Sequence, residues 1–311
     1  MYVIRAVVMA GCLGVAASAS AQQIFFRANF SPSAAPLHGF SSIRDTYLNS
    51  AWSLTSLPGA GPNGTDAVDI NLRGVGSPTE NYVGWYRPLG AEVPQGATRY
   101  IRLKIKLVGP ISYQSVGSSG SWSTKMVILG DGGESQHRVM WNLRSGPSTS
   151  QPIFVIEKNI DGGSTRISTS PLPVNQWIAA QLRIRSSSTT SSGNGQFALY
   201  MGNDNANEAT PTLQSGNFSI NTADWDQLLG LGYYCDYMRA AGHVQYQFAG
   251  FEVGDRFDPL WHIGSSSGDP ASPTAPTNVR IVSSAAIYGL PTLLALSLLL
   301  RPRRKDDSAR D

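Results

Sequence analysis

The sequence predicts an all-β protein, two antiparallel sheets packed face to face as a jelly-roll β-sandwich, with an N-terminal signal peptide and a C-terminal transmembrane helix at its ends. Three observations lead there. Apolar residues recur at every second position through most of 24–253, the period that lays one side of a strand against a core. Turn-forming clusters cut these runs at 61–64, 130–133, 161–163 and 192–195, where Gly, Asn and Asp supply the backbone freedom a tight turn needs. Only 14% of residues are charged, beside 32 Gly and 19 Pro. Soluble domains usually carry about 25% charge, so Ser, Thr, Asn, Gln and backbone must wet this surface. That composition excludes a long helical bundle, and seven Trp, 12 Tyr and 10 Phe exclude disorder.

Residues 1–21 read as a secretory signal: Arg5, an apolar run over 6–17, then Ser18-Ala19-Ser20-Ala21 as a small-residue cleavage site before Gln22. A lipobox at Met9-Ala10-Gly11-Cys12 has too short an apolar stretch before it. Residues 22–262 form the expected sandwich, and a Ser/Gly/Pro linker over 263–280 cannot bury apolar area. Residues 281–300 carry no charge between Arg280 and Arg301. As a helix they span about 30 Å, the thickness of a bilayer core. Gly289 and Pro291 argue against a buried core helix. The tail 301–311 opens with Arg301-Pro302-Arg303-Arg304-Lys305, which the positive-inside rule places in the cytoplasm. The expected localisation is therefore the cell envelope or surface, exported and anchored by a single pass. A short apolar helix followed by an Arg cluster resembles the sorting tails that exosortase-like peptidases process.

The formal charge of +3 arises at the ends, because residues 22–300 hold 18 cations and 18 anions. A nucleic-acid binder needs a net basic face, so that class is set aside. The only cysteines are Cys12 and Cys235. No CxxC, HExxH or other metal-ligand spacing occurs, so no metal site is expected. The Asn/Asp-rich run at 202–208 has the oxygen donors of a structural calcium site but not the spacing of an EF-hand loop, and reads better as a hairpin tip. No cofactor is implied.

Strands are expected at 24–30, 67–72, 82–86, 99–108, 125–129, 138–143, 153–157, 177–185, 196–201 and 244–253. The clearest is 99–108, where Ile101, Leu103, Ile105 and Leu107 face one way and Arg102, Lys104 and Lys106 the other. Only 222–229 looks helical, with Asn221 or Thr222 as N-cap and Asp224 and Asp226 in the first turn.

The order of segments resembles the concanavalin A-like lectin/glucanase superfamily, in its laminin-G-like and polysaccharide-lyase-like jelly rolls. The likeness is carried by residues 99–106, by 122–129, by Pro173-Val174-Asn175-Gln176-Trp177 leading a strand, by 194–201, and by Phe248-Ala249-Gly250-Phe251-Glu252-Val253. The resemblance implies an extracellular or envelope glycan as partner. Gln136-His137-Arg138 is similar to the Gln-x-His strand of alginate-lyase-like members, and 232–237 to their late Tyr-rich strand.

Two functions are weighed above a third, a purely structural envelope protein, for which the sequence offers no positive feature. The first is a carbohydrate-binding module, in which Arg102, Lys104, Lys125, Arg138, Trp141 and Asn142 bind the ligand from a concave sheet. Arg144 lies on a strand that could join them, and aromatic faces at Trp85, Tyr86, Tyr233, Tyr234 and Tyr237 suit the apolar side of a pyranose. The second is a polysaccharide lyase that cleaves an acidic, uronate-containing glycan by β-elimination, with His137, Tyr233 or Tyr237 as catalytic acid or base beside neutralising cations. Glycoside hydrolysis needs two carboxylates on one face, and Glu134, Glu157, Glu208 and Glu252 are scattered.

Overall fold

In the computed structural model the described residues are 22–45, 52–73, 81–89, 93–112, 123–130, 139–145, 151–160, 163–202, 207–222, 225, 227–235 and 243–263. The expected signal peptide (1–21), transmembrane helix (281–300) and basic tail lie outside them. Among the described residues no helix is long and apolar enough to cross a membrane.

Among the described residues fifteen strands make two sheets. The first contains β1 (Ile24–Arg27), β3 (Trp52–Leu57), β4 (Ala67–Arg73), β6 (Thr98–Ser112), β11 (Trp177–Arg185), β12 (Gln196–Met201), β13 (Leu213–Gln214) and β15 (His243–Gly254). Its order is β13-β12-β11-β6-β15-β4-β3, with β1 also paired to β15. The second contains β2 (Ser42–Asp45), β5 (Asn81–Pro88), β7 (Ser123–Gly130), β8 (Val139–Ser145), β9 (Pro152–Ile160), β10 (Gly163–Ser168) and β14 (Gln227–Cys235). Its order is β10-β9-β8-β7-β14-β5-β2. Every pairing is antiparallel.

The core lies between the sheets because strand alternation gives each one an apolar side. Ile101, Leu103, Ile105 and Leu107 of β6, with Leu182, Ile184, Tyr246 and Phe248, meet Trp85, Leu129, Trp141, Leu143, Phe154 and Ile156 in one buried cluster. β15 changes parity within it. Val244, Tyr246 and Phe248 are core residues, and then Phe251 and Val253, because the register against β6 shifts between Phe248 and Gly250. One extra residue in a bulge returns the next apolar side chain to the same face.

The expected helix at 222–229 is corrected. Gln227–Leu229 open β14, pairing with Leu129 and Ile128 on one side and with Arg87 and Tyr86 on the other. A short run with two adjacent leucines satisfies either period, and here the ladder partners on both edges decide it. Trp225, just before, is buried in the core. The sequence reading also missed β2, β3, β10 and β13, of which β3 alternates buried and half-buried residues along its whole length.

A buried histidine sits at the corner between β1 and β2. His38 is fully buried, its Nδ1 lies 3.0 Å from the carbonyl of Asn29, and its ring packs against Phe30 and Trp85. Nε2 has no partner. Burial holds its pKa below the ordinary imidazole value, partly opposed by the Asn29 carbonyl. Unfolding therefore takes up a proton as pH falls through the ordinary value of about 6.5. The expected outcome is a urea midpoint higher at pH 7.5 than at pH 5.5, with a difference that shrinks in His38→Asn; an unchanged difference in the variant would remove His38 as its source.

Candidate functional site

The cations singled out in the sequence divide between opposite faces of the sandwich. Arg102 and Lys104 belong to β6 in the first sheet, whereas Lys125 and Asn142 belong to β7 and β8 in the second. Both sets alternate with core residues, so each points away from the core and away from the other set. The expectation of one concave face gathering all of them is corrected on this ground.

On the first sheet Arg102 is fully buried. Its Nε donates to Gln181 Oε1 at 3.1 Å, Nη1 donates to Glu252 Oε2 at 3.3 Å, and Nη2 donates to the carbonyl of Arg256. The chain after β15 covers this network: Gln181 Nε2 donates to the carbonyl of Asp258 at 2.6 Å, and Trp261 Nε1 to that of Leu103 at 3.1 Å. Lys104 lies under this cover, its Nζ 4.9 Å from the Trp261 ring centroid. Burial pushes the Lys104 ammonium below its ordinary pKa, against the pull of Glu252 and Asp258. Gly250 admits the indole, since a Cβ there would stand 2.9 Å from Trp261. Arg102 is thus engaged by the protein's own acceptors and is not presented to a ligand.

The outer face of the second sheet brings two of the expected residues together. Lys125 pairs directly with Asn142 across β7 and β8. Met126, Val127, Trp141 and Leu143 on either side turn inward to the core. Trp141 is therefore corrected from a ligand-facing aromatic to a core residue, with its ring edge-on to Phe154 at 5.5 Å. Asn142 is fully buried. Its Nδ2 donates to Glu157 Oε1 at 2.8 Å, and Arg144 Nη2 donates to the same oxygen at 2.7 Å. An ionised carboxylate only accepts, so the Asn142 amide turns its NH2 to Glu157. Its Oδ1 then faces the other way, buried and without a partner. The sequence reading took Glu157 only as one of several scattered glutamates, since the apolar run before it gives no sign of its reach to β8.

The remaining candidates fall unevenly on the described residues. His137, Arg138 and Tyr237 lie outside them. Tyr233 belongs to β14, opposite Val83 of β5, and Tyr234 is opposite Tyr82. Cys235 pairs with Thr124 of β7, after a register shift that falls between Leu229 and Cys235. The calcium candidate at 202–208 lies mostly outside the described residues. Among those described, no three His, Cys, Asp or Glu gather as metal ligands.

The arrangement offers a half-buried lysine, an unpaired amide oxygen, and an arginine and a carboxylate joined to each other. A cation beside a free acceptor suits a sugar that carries both a carboxylate and a hydroxyl. Neither a protein-family model nor a curated protein sequence matches the chain. Among solved structures, the endo-β-1,4-glucuronan lyase of the fungus Trichoderma reesei is similar at 12% identity and a TM-score of 0.49, over 76% of this chain and 97% of that one. An alginate lyase in complex with alginate trisaccharide gives 10% and 0.43, over 76% and 95%. The globular domain of T. cruzi calreticulin gives 10% and 0.41, over 76% and 89%. These three TM-scores fall below 0.5, and the two-sheet architecture rests on the strand pairings themselves.

Removing Arg102 leaves the partly buried Arg256 carbonyl without this donor while Glu252 keeps its ion pair with Arg27, at a cost of about 1–3 kcal/mol. Arg102→Ala is accordingly expected to lower unfolding stability by that order in urea titration. An unchanged urea midpoint would show that this network does not hold the covering segment.

Proposed function

We propose that this protein is an exported, envelope-anchored polysaccharide lyase with a concanavalin A-like jelly-roll domain, acting on a uronate-containing glycan at the outer face of its second sheet. The observation that carries this reading is the cross-strand pair of Asn142 and Lys125, in which Asn142 Oδ1 is buried and unpaired. Export and anchoring are supported by the leader at 1–21 and the uncharged run at 281–300.

Each residue has a part in β-elimination. Lys125 neutralises the uronate carboxylate, which lowers the pKa of the C5 proton beside it. Asn142 Oδ1 accepts a hydroxyl hydrogen of the same sugar and orients the ring. Glu157 holds the amide in that orientation and is a positioning residue. Tyr234 of β14, opposite Tyr82 of β5, takes the C5 proton. The C4–O4 bond breaks, a C4=C5 double bond forms, and the departing oxygen takes up a proton. General acid–base assistance of this kind contributes about 10²–10⁴-fold.

The test incubates the protein with alginate, polyglucuronate and pectate and follows the ultraviolet absorbance of the unsaturated uronate. A rise with one polymer is expected, reduced about 100-fold or more in Tyr234→Phe and strongly reduced in Lys125→Ala. No rise with any uronate polymer would overturn the lyase reading. Retarded migration in a gel containing one of them would then leave a binding module on the same face.

A further inference from the structure

The face opposite the proposed elimination site carries a second group of polar and aromatic side chains. Across the first sheet, Trp177 pairs with Lys106, Lys106 with Gln247, and Gln247 with Asp69. Their neighbours Ile178, Ile105, Phe248 and Val68 belong to the core, so this row faces outward. Asp69 accepts Gln245 Nε2 at 2.9 Å on both oxygens and Gln247 Nε2 at 3.0 Å. A carboxylate offers only acceptors, so both glutamines turn their NH2 groups to Asp69 and their amide oxygens away from it. Gln247 Oε1 is buried and has no partner, a condition that costs free energy until a donor arrives.

The surroundings favour a sugar as that donor. Trp177 is half-buried, with Lys106 Nζ 5.2 Å from its ring centroid. Pairing of β12 with β11 begins at Ala180, so among the described residues no strand lies beyond Trp177 in this row. The half-buried indole stands at the end of the row among the described residues. Lys106 and Asp69 bring one charge of each sign, which leaves the row without a net charge to attract an acid.

We propose that this row is a second saccharide site for a neutral, hydroxyl-rich sugar, which stacks its apolar ring face on Trp177 and donates a hydroxyl to Gln247 Oε1. It is separate from the Lys125 and Asn142 row and does not depend on the lyase reading. The carboxylate of Asp69 orients the acceptors through the two glutamines and disfavours uronates here.

Native gel electrophoresis of the full-length chain through hydroxyethylcellulose, galactomannan or dextran, with alginate as the acidic comparison, tests this. The expected result is retardation by a neutral polymer, with a dissociation constant about tenfold weaker in Trp177→Ala and in Gln247→Leu and unchanged in Lys125→Ala. Trp177→Phe, which keeps a ring, is expected to bind between wild type and Trp177→Ala, with unfolding midpoints reported for each variant as a check on folding. No retardation by any of the neutral polymers overturns the proposal. Retardation that survives both Trp177→Ala and Gln247→Leu overturns it as well. Retention by alginate alone, abolished in Lys125→Ala, overturns this site while supporting the other.

Discussion

Everything in the first sheet is organised about the double-sided demand on β6. Its fifteen residues pair with β11 on one edge and β15 on the other, so this strand cannot move without breaking two ladders. One side supplies Ile101, Leu103, Ile105 and Leu107 to the core, and the other carries three cations that the sheet must accommodate. A strand buried on both faces would normally be apolar throughout. Here each cation has its own solution: a carboxylate, an amide and a carbonyl for Arg102, one indole for Lys104 and another for Lys106. The covering segment after β15 exists in this form because those charges require cover.

The two outer faces consequently differ in character. The first sheet spends its strongest charges internally and leaves a row whose charges balance. The second keeps Lys125 and the Asn142 oxygen on its outer side, with Glu157 ordering the amide. Orientation in both places comes from the same device, a carboxylate that takes the NH2 of an amide and so aims its oxygen elsewhere. The device works because an ionised carboxylate has no hydrogen to give.

Much of this was legible in the sequence where the cause is local. Alternation over 99–108 predicted β6 and its two faces, and the neutral, Gly-rich composition predicted sheets with little helix. What was not legible depends on distant chain. Arg102 read as exposed because its partners Gln181, Glu252 and Arg256 lie 79, 150 and 154 residues away. β14 read as a helix because its two flanking strands, not its own residues, determine its backbone. The register shift between Leu229 and Cys235 likewise leaves no mark in composition. The residue types of the candidate site were visible, but the face each one occupies was not.

The order of strands has a kinetic meaning. In the first sheet β15 is the member that joins β6 to β4, and in the second β14 joins β7 to β5. Both come at the C-terminal end of the domain, residues 227–254. Until they are available, the second sheet exists only as two unconnected halves and the first as two such pieces with β1 unpaired beside them, whose apolar sides have no complete layer to close against. Long-range closure of this sort is slow. A chain that leaves its compartment N-terminus first would therefore remain threadable until nearly all of the domain has passed, and would close only when its last two strands slot into the gaps held open for them.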